Sequence, residues 1–227
     1  MPRTDGRLGG LAPDRCGGVI PWRDGGLVPD TDPMTRQGRG AQAKADPQAD
    51  FLVDLRSAFE WRADRFDRRW YADSTGWWAD PSILGRLGPA LARLFVDERP
   101  TVVLGPQSRG AMLGALVAVH LGVGLVELRK DPVPLADSDR WLTARTPPDY
   151  RNRNLLLGAR RKHLGSAHRA LFVDDWIDTG GQTIAARSLV EQAGATWCGA
   201  AVIVDALRDR RLRHELDVRC LTRSRDL

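Results

Sequence analysis

Residues 170–182, ALFVDDWIDTGGQ, constrain what this chain can fold into more than any other stretch. Four residues suited to a buried strand (Ala170, Leu171, Phe172, Val173) run into two adjacent carboxylates, Asp174 and Asp175. A turn with Thr179, Gly180 and Gly181 follows, and then an alanine-rich helical pattern. A strand that ends in charge and opens a helix through glycines is a strand, loop and helix unit. In a parallel α/β sheet that junction lies at the carboxyl edge, where ligands bind. The first backbone N–H groups of the helix have no partners within it, and with the helix dipole they form an anion site. Gly180 and Gly181 let the backbone curl around a phosphate, and Thr179 adds a hydroxyl. The acidic pair stands where diol hydroxyls or a metal could be held, five residues before the phosphate donors, which suits a sugar phosphate. The plainer reading has Asp174 and Asp175 capping the next helix and the glycines making a tight turn. It leaves two adjacent carboxylates at the end of an apolar strand, a costly pair to bury unpartnered.

A second unit of the same kind lies upstream. Thr101 to Leu104 reads as a short buried strand, running through Gly105-Pro106-Gln107-Ser108-Arg109-Gly110 into a helix. Ser108 is not a hydrolase nucleophile, because the nucleophile elbow needs glycine two residues before the serine and Gly105 is three away. Next come Leu121-Gly122-Val123-Gly124 and a strand, Leu125 to Leu128, that ends in Arg129 and Lys130. Two cations there suit a diphosphate, or form a solvated pair. Neither GxxxxGK[ST] nor GxGxxG occurs, which excludes P-loop and dinucleotide-binding motifs.

The stretch 170–182 resembles the phosphoribosyl diphosphate (PRPP) signature of the type I phosphoribosyltransferases. The order SRG, LGVG, RK, VDDWIDTGG is similar to the adenine-type enzymes over residues 80–205. The resemblance implies an α/β fold, a three-layer α/β/α domain with a mainly parallel sheet of five to six strands and a small N-terminal helical hood. It implies transfer of the ribose 5-phosphate of PRPP to a nucleobase, with a purine expected, and release of diphosphate. Asp174 and Asp175 would hold the ribose hydroxyls directly or through Mg²⁺, with water between. Asp178, Thr179, Gly180, Gly181 and Gln182 would hold the 5′-phosphate. Gln107, Ser108, Arg109, Gly110, Arg129 and Lys130 would hold the diphosphate, and Trp176 and Ile177 would pack against the base. Three positions depart from the adenine pattern. Trp176 is bulkier than the usual aliphatic residue, Gln182 replaces Ser or Thr, and Asp178 stands where adenine enzymes carry alanine. Hypoxanthine and guanine enzymes have aspartate there, able to exchange a proton with purine N7. A homodimer is expected, and the alternative from another class is a catalytically silent PRPP-binding regulator of transcription or RNA.

The remaining sequence frames that core. Residues 1–47 hold nine Gly and six Pro without apolar periodicity, so a disordered tail is expected, leaving residues 48–227 as the phosphoribosyltransferase domain. Helical spacing of Phe51, Leu52, Leu55, Phe59, Phe66 and Trp70 predicts an amphipathic helix over 48–70. Asp80 and Pro81 are placed to start a second helix. Trp61, Trp70, Trp77 and Trp78 suit core or dimer contacts better than base stacking. Residues 131–153 carry four prolines and read as a long loop, in the place of a lid. The net charge is +5, with three lysines among 34 basic residues. Acids are mixed with bases nearly throughout, which argues against a nucleic-acid partner. Three cysteines without a CxxC pair argue against a disulfide framework and for the cytoplasm. No charge-free run reaches the ~20 residues a membrane helix needs.

Overall fold

The computed structural model describes residues 47–63, 70–135, 140–148 and 154–227. The tail expected over 1–47 falls, up to residue 46, outside the described residues. The helix expected over 48–70 is shorter: α1 covers Pro47–Ser57. At its end the Ser57 hydroxyl donates to the Val53 carbonyl at 2.9 Å, a back-bond that competes with the helical ladder. Beyond it, β-favouring aromatics take over, and β1 (Glu60–Ala63) pairs antiparallel with β2 (Trp70–Asp73). Phe59 turns inward instead of continuing the helix, its ring stacked 5.6 Å from that of Trp77. Trp77, on the short helix α2 (Thr75–Ala79), is fully buried, and its Nε1 donates to the Leu55 carbonyl at 2.7 Å.

The helix α3 (Pro81–Arg93) begins as the sequence predicts, with the Asp80 carboxylate accepting from the N–H groups of Ser82 and Ile83. Its buried residues Ile83, Leu87 and Leu91 recur at helical spacing. Then follow β3 (Val102–Pro106), α4 (Arg109–Leu121), β4 (Gly124–Lys130), β5 (Trp141–Arg145) and β6 (Leu156–Arg160). The chain closes with β7 (Arg169–Ile177), α5 (Gly181–Gln192), β8 (Thr196–Asp205), α6 (Arg210–Glu215) and β9 (Val218–Arg223). The main sheet has the order β5-β6-β4-β3-β7-β8-β9. The strands from β4 to β9 in that order are parallel, and β6 and β5 join antiparallel at one edge.

The mainly parallel α/β sheet is therefore as expected, but it has seven strands rather than five or six. The additional strand is β5, inside the stretch read as a loop. Its prolines lie on either side of Trp141-Leu142-Thr143-Ala144-Arg145, and those five residues alternate well enough to bury Leu142. The two faces of the sheet are covered by different helices because side chains alternate along each strand. Val103, Leu171, Val173, Ala201 and Ile203 pack with α1, α3 and α4 residues. Val102, Leu104, Ala170, Phe172 and Ala200 pack with Ala185, Ala186, Leu189 and Val190 of α5. Among the described residues no helix is long and apolar enough to cross a membrane.

The pairing of β7 with β8 shifts register between Ala170 and Leu171, and Gly199 sits at that irregularity with φ 135°. A Cβ there would lie 2.8 Å from the Asp217 carbonyl and run into the ring of fully buried Phe95. Replacing Gly199 by Ala should lower stability by about 2–4 kcal/mol through backbone strain and overpacking. A urea unfolding midpoint shifted downward at unchanged slope checks it.

Candidate active site

Because β3 and β7 are parallel neighbours, both end at the same sheet edge, and the helices that follow them begin there. The loops at that edge line a cavity of about 430 Å³. Gln107, Ser108 and Arg109 come from the β3–α4 junction, Lys130 from the end of β4, and Asp174, Asp175 and Trp176 from β7. Gln182 of α5 and Ala72 and Ser74 of the N-terminal hairpin complete the wall. An adjoining cavity of about 150 Å³ shares Asp174, Trp176 and Gln182 with the first and continues over Ile177 to Thr183. Asp174 thus stands in the wall of both hollows, with Asp175 in the first and the glycine turn in the second.

Asp174 is 7% exposed. Its Oδ1 accepts the backbone N–H of Asp175 at 2.9 Å. Burial, reinforced by the neighbouring Asp175 charge, holds its carboxyl well above the usual carboxylate range, against the pull of the Lys130 ammonium. The start of α4 approaches this carboxyl closely. A Cβ on Gly110 would come within 2.8 Å of Asp174 Oδ1 and 2.5 Å of Pro106 Cδ, so only glycine allows the helix end to sit there. Gly110 therefore serves the site as backbone packed against Asp174. Arg109 bridges outward, its Nη1 lying 2.8 Å from Asp175 Oδ2 and 2.8 Å from Ser74 Oγ.

The other sequence-identified residues divide. Gln107 is tied into the edge, its Oε1 accepting from the Lys130 N–H at 3.1 Å and its own N–H donating to the Leu128 carbonyl at 3.0 Å. Lys130 lines the larger cavity. Its neighbour Arg129 lies outside both cavities, 3.9 Å from Glu127. Gly180 has φ 77° and is the N-cap of α5, a conformation that suits glycine. Behind it stand Leu207, Leu212 and Leu216, so the turn rests on the α6 end of the core. Thr179 Oγ1 accepts weakly from the Gly181 N–H at 3.4 Å, and Asp178 is exposed. Gln182 Oε1 is buried and has no hydrogen-bond partner among the described residues. An orphaned acceptor between two polar hollows is a position for a ligand donor.

Trp176 forms one wall with the hairpin side. Its ring meets Trp61 edge-on at 6.2 Å and lies 6.2 Å from Phe59, nearly parallel. Ile177, grouped with Trp176 in the sequence reading, is 3% exposed and packs with Val202 and Leu207. Its side chain belongs to the core. Two contributions escaped sequence reasoning. Ser74 reaches Arg109 across 35 residues, with no local signal to announce it. Thr146 and Pro147, at the end of β5, lie against Gly181, because the long loop is anchored by a strand. Asp174 and Asp175 supply hard oxygen donors of the kind Mg²⁺ takes, one or two carboxylates with the remaining positions filled by water and phosphate. Among the described residues no group of three His, Cys, Asp or Glu side chains stands ready to cage a metal alone.

The model of the phosphoribosyl transferase domain matches residues 83–226, more than half of the chain. An adenine phosphoribosyltransferase of Methylococcus capsulatus is 37% identical over 151 residues, covering 63% of this chain and 82% of that protein. A xanthine phosphoribosyltransferase of Pseudomonas entomophila is 28% identical over 126 residues, covering 56% of this chain and 66% of that one. The crystal structure of adenine phosphoribosyltransferase from Rhodothermus marinus superposes with a TM-score of 0.65 at 28% identity, over 77% of this chain and 99% of that one.

The raised pKa of Asp174 has a consequence for stability. A carboxyl whose folded pKa lies above its unfolded value of about 3.9 contributes stability that is complete below the unfolded value. That stability is lost as pH rises through the folded value. Asp174→Asn should therefore raise the Tm of the ligand-free protein at pH 7, and the gap should close as pH falls toward about 4. Thermal unfolding of both proteins across that range measures it.

Proposed function

The chain belongs to the phosphoribosyl transferase family, and on that premise we propose that its acidic pair and glycine turn hold PRPP while its aromatic wall takes a purine. The enzyme is a PRPP-dependent phosphoribosyltransferase. The bond from ribose C1 to the diphosphate oxygen breaks, a bond from C1 to a base nitrogen forms, and a nucleoside 5′-monophosphate and diphosphate are released. The observation that carries the site assignment is that Asp174, Trp176 and Gln182 line both hollows. The acidic pair, with the Asp174 carboxyl desolvated, lies between cations and donors on one side, Arg109, Lys130 and Ser108, and the glycine turn at the start of α5 on the other.

In this reading the ribose hydroxyls donate to Asp174 and Asp175, which takes the place of lost water around the buried carboxyl. The N–H groups opening α5, with Thr179, hold the 5′-phosphate in the field of the helix dipole, and Gln182 presents its amide between the two hollows. Ser108, Arg109 and Lys130, with the backbone at Gln107 and Gly110, face the leaving diphosphate. Positioning and charge account for the rate, since an oxocarbenium-like transition state forms positive charge on the ribose beside the acidic pair. Asp174 and Asp175 would hold Mg²⁺ through water, and the ion would supply positive charge to the departing diphosphate. Trp176, braced edge-on by Trp61, offers flat apolar surface to the base, and Asp178 is the side chain for proton exchange at purine N7.

A silent regulator would keep the same PRPP site, so the site does not separate the two readings; the relatives being named as transferases favours the enzyme. The free thiols of Cys198 and Cys220 suit the cytoplasm. A homodimer is proposed through α4, whose exposed side carries Met112 and Val119, 50% and 82% exposed, and no charged residue from Gly110 to Val119. Val119→Asp should convert the dimer to monomer in sedimentation. Incubation with PRPP, Mg²⁺ and separate purine bases, read by mass spectrometry, should yield a purine nucleoside monophosphate and diphosphate. No nucleotide from any purine would overturn the assignment.

A further inference from the structure

We propose that Ser74, on the N-terminal hairpin side of the site, is a positioning residue that sets the Arg109 guanidinium for the diphosphate. The proposal rests on the PRPP reading above. Arg109 stands at the first position of α4 and its side chain is half exposed. A long, half-exposed side chain loses about 2 kcal/mol of rotamer entropy when held in one place, so a single contact leaves it partly free. The bond to Asp175, whose side chain is 15% exposed, fixes Nη1 from one side. Ser74 is the second tether, 5% exposed and itself held on both sides.

The Asp73 carboxylate accepts from the N–H and the hydroxyl of Thr75 at 2.9 and 2.5 Å, closing a turn around Ser74. The Ser74 carbonyl accepts from the Trp77 N–H at 3.1 Å, and Trp77 is itself fully buried and bonded to Leu55. The hydroxyl is thus a fixed point built from α1, the hairpin and α2. Nη1 of Arg109 divides its two protons between Ser74 Oγ and Asp175 Oδ2. The donors on Nη2 and Nε remain, the pair of N–H groups that matches two oxygens of a phosphate. Through this one side chain the N-terminal elements, which also carry Trp61 and Phe59 of the aromatic wall, are tied to the diphosphate end of the site. Nothing in the local sequence marks Ser74 for that role.

A Ser74 that merely satisfied a buried position would affect stability and leave PRPP recognition alone. The test is a double-mutant cycle on PRPP binding, measured by calorimetry with Mg²⁺ on the full chain, with thermal unfolding run in parallel. Ser74→Ala should weaken PRPP binding about tenfold, the scale of one hydrogen bond to a charged group, and raise KM for PRPP with little change in kcat. In an Arg109→Met background the same substitution should have no further effect. Ser74→Cys, close in size and a weak acceptor, serves the same cycle if the alanine variant does not fold. Wild-type affinity in the Ser74 variants, or an equal loss with and without Arg109, overturns the proposal. Absence of any PRPP binding by the wild-type chain overturns instead the reading on which it rests.

Discussion

The carboxyl of Asp174 is placed where an empty protein gains nothing from it. It sits at the end of a central strand, nearly excluded from water, beside a second carboxylate and against the end of a helix. Leaving such a group there costs stability, and the surrounding structure carries that cost by being rigid elsewhere. Gly110 lets the α4 terminus close over it, β3 and β4 on one side and β8 on the other hold β7 in line, and the N–H of Asp175 gives one fixed hydrogen bond. Local departure from what is best for folding is a common property of sites that must bind charge or develop it. The rest of the edge can be understood as arranged around this one group. Cations face it from β4 and α4, and the turn of α5 opens beyond it.

How much of this could be seen in the sequence depends on the range over which each feature is encoded. The units β3–α4 and β7–α5 were legible because apolar runs, glycines and acids sit side by side within a dozen residues. Asp80 announced the start of α3 for the same reason. The helix expected over residues 48–70 failed at Ser57, where apolar spacing continued but the aromatics were wanted elsewhere. Phe59 stacks on Trp77, and Trp61 meets Trp176 edge-on, contacts no periodicity can express. β5 was hidden by the prolines around it, and with it the approach of Thr146 and Pro147 to the phosphate turn.

The site was legible to a similar degree. The residues on β7 and, Gly110 apart, those at the two helix starts line the pair of adjoining cavities, and so does Lys130. Arg129 falls outside them and Ile177 turns into the core, because alternation along a strand separates neighbours that a motif lists together. Arg109 is in the hollow but already engaged, with Asp175 and with Ser74. That engagement comes from tertiary distance: the hydroxyl is delivered by elements that share no motif with the sheet.

The aromatic cluster has an optical consequence. Trp61 and Trp176 touch edge to face, Phe59 lies between Trp176 and Trp77, and Trp176 borders the hollow while Trp61 is 41% exposed. Indole emission depends on solvent contact and on nearby π-systems, so a flat heterocycle entering beside Trp176 would dim and blue-shift the intrinsic fluorescence of the chain. The protein carries its own occupancy gauge, readable without any label.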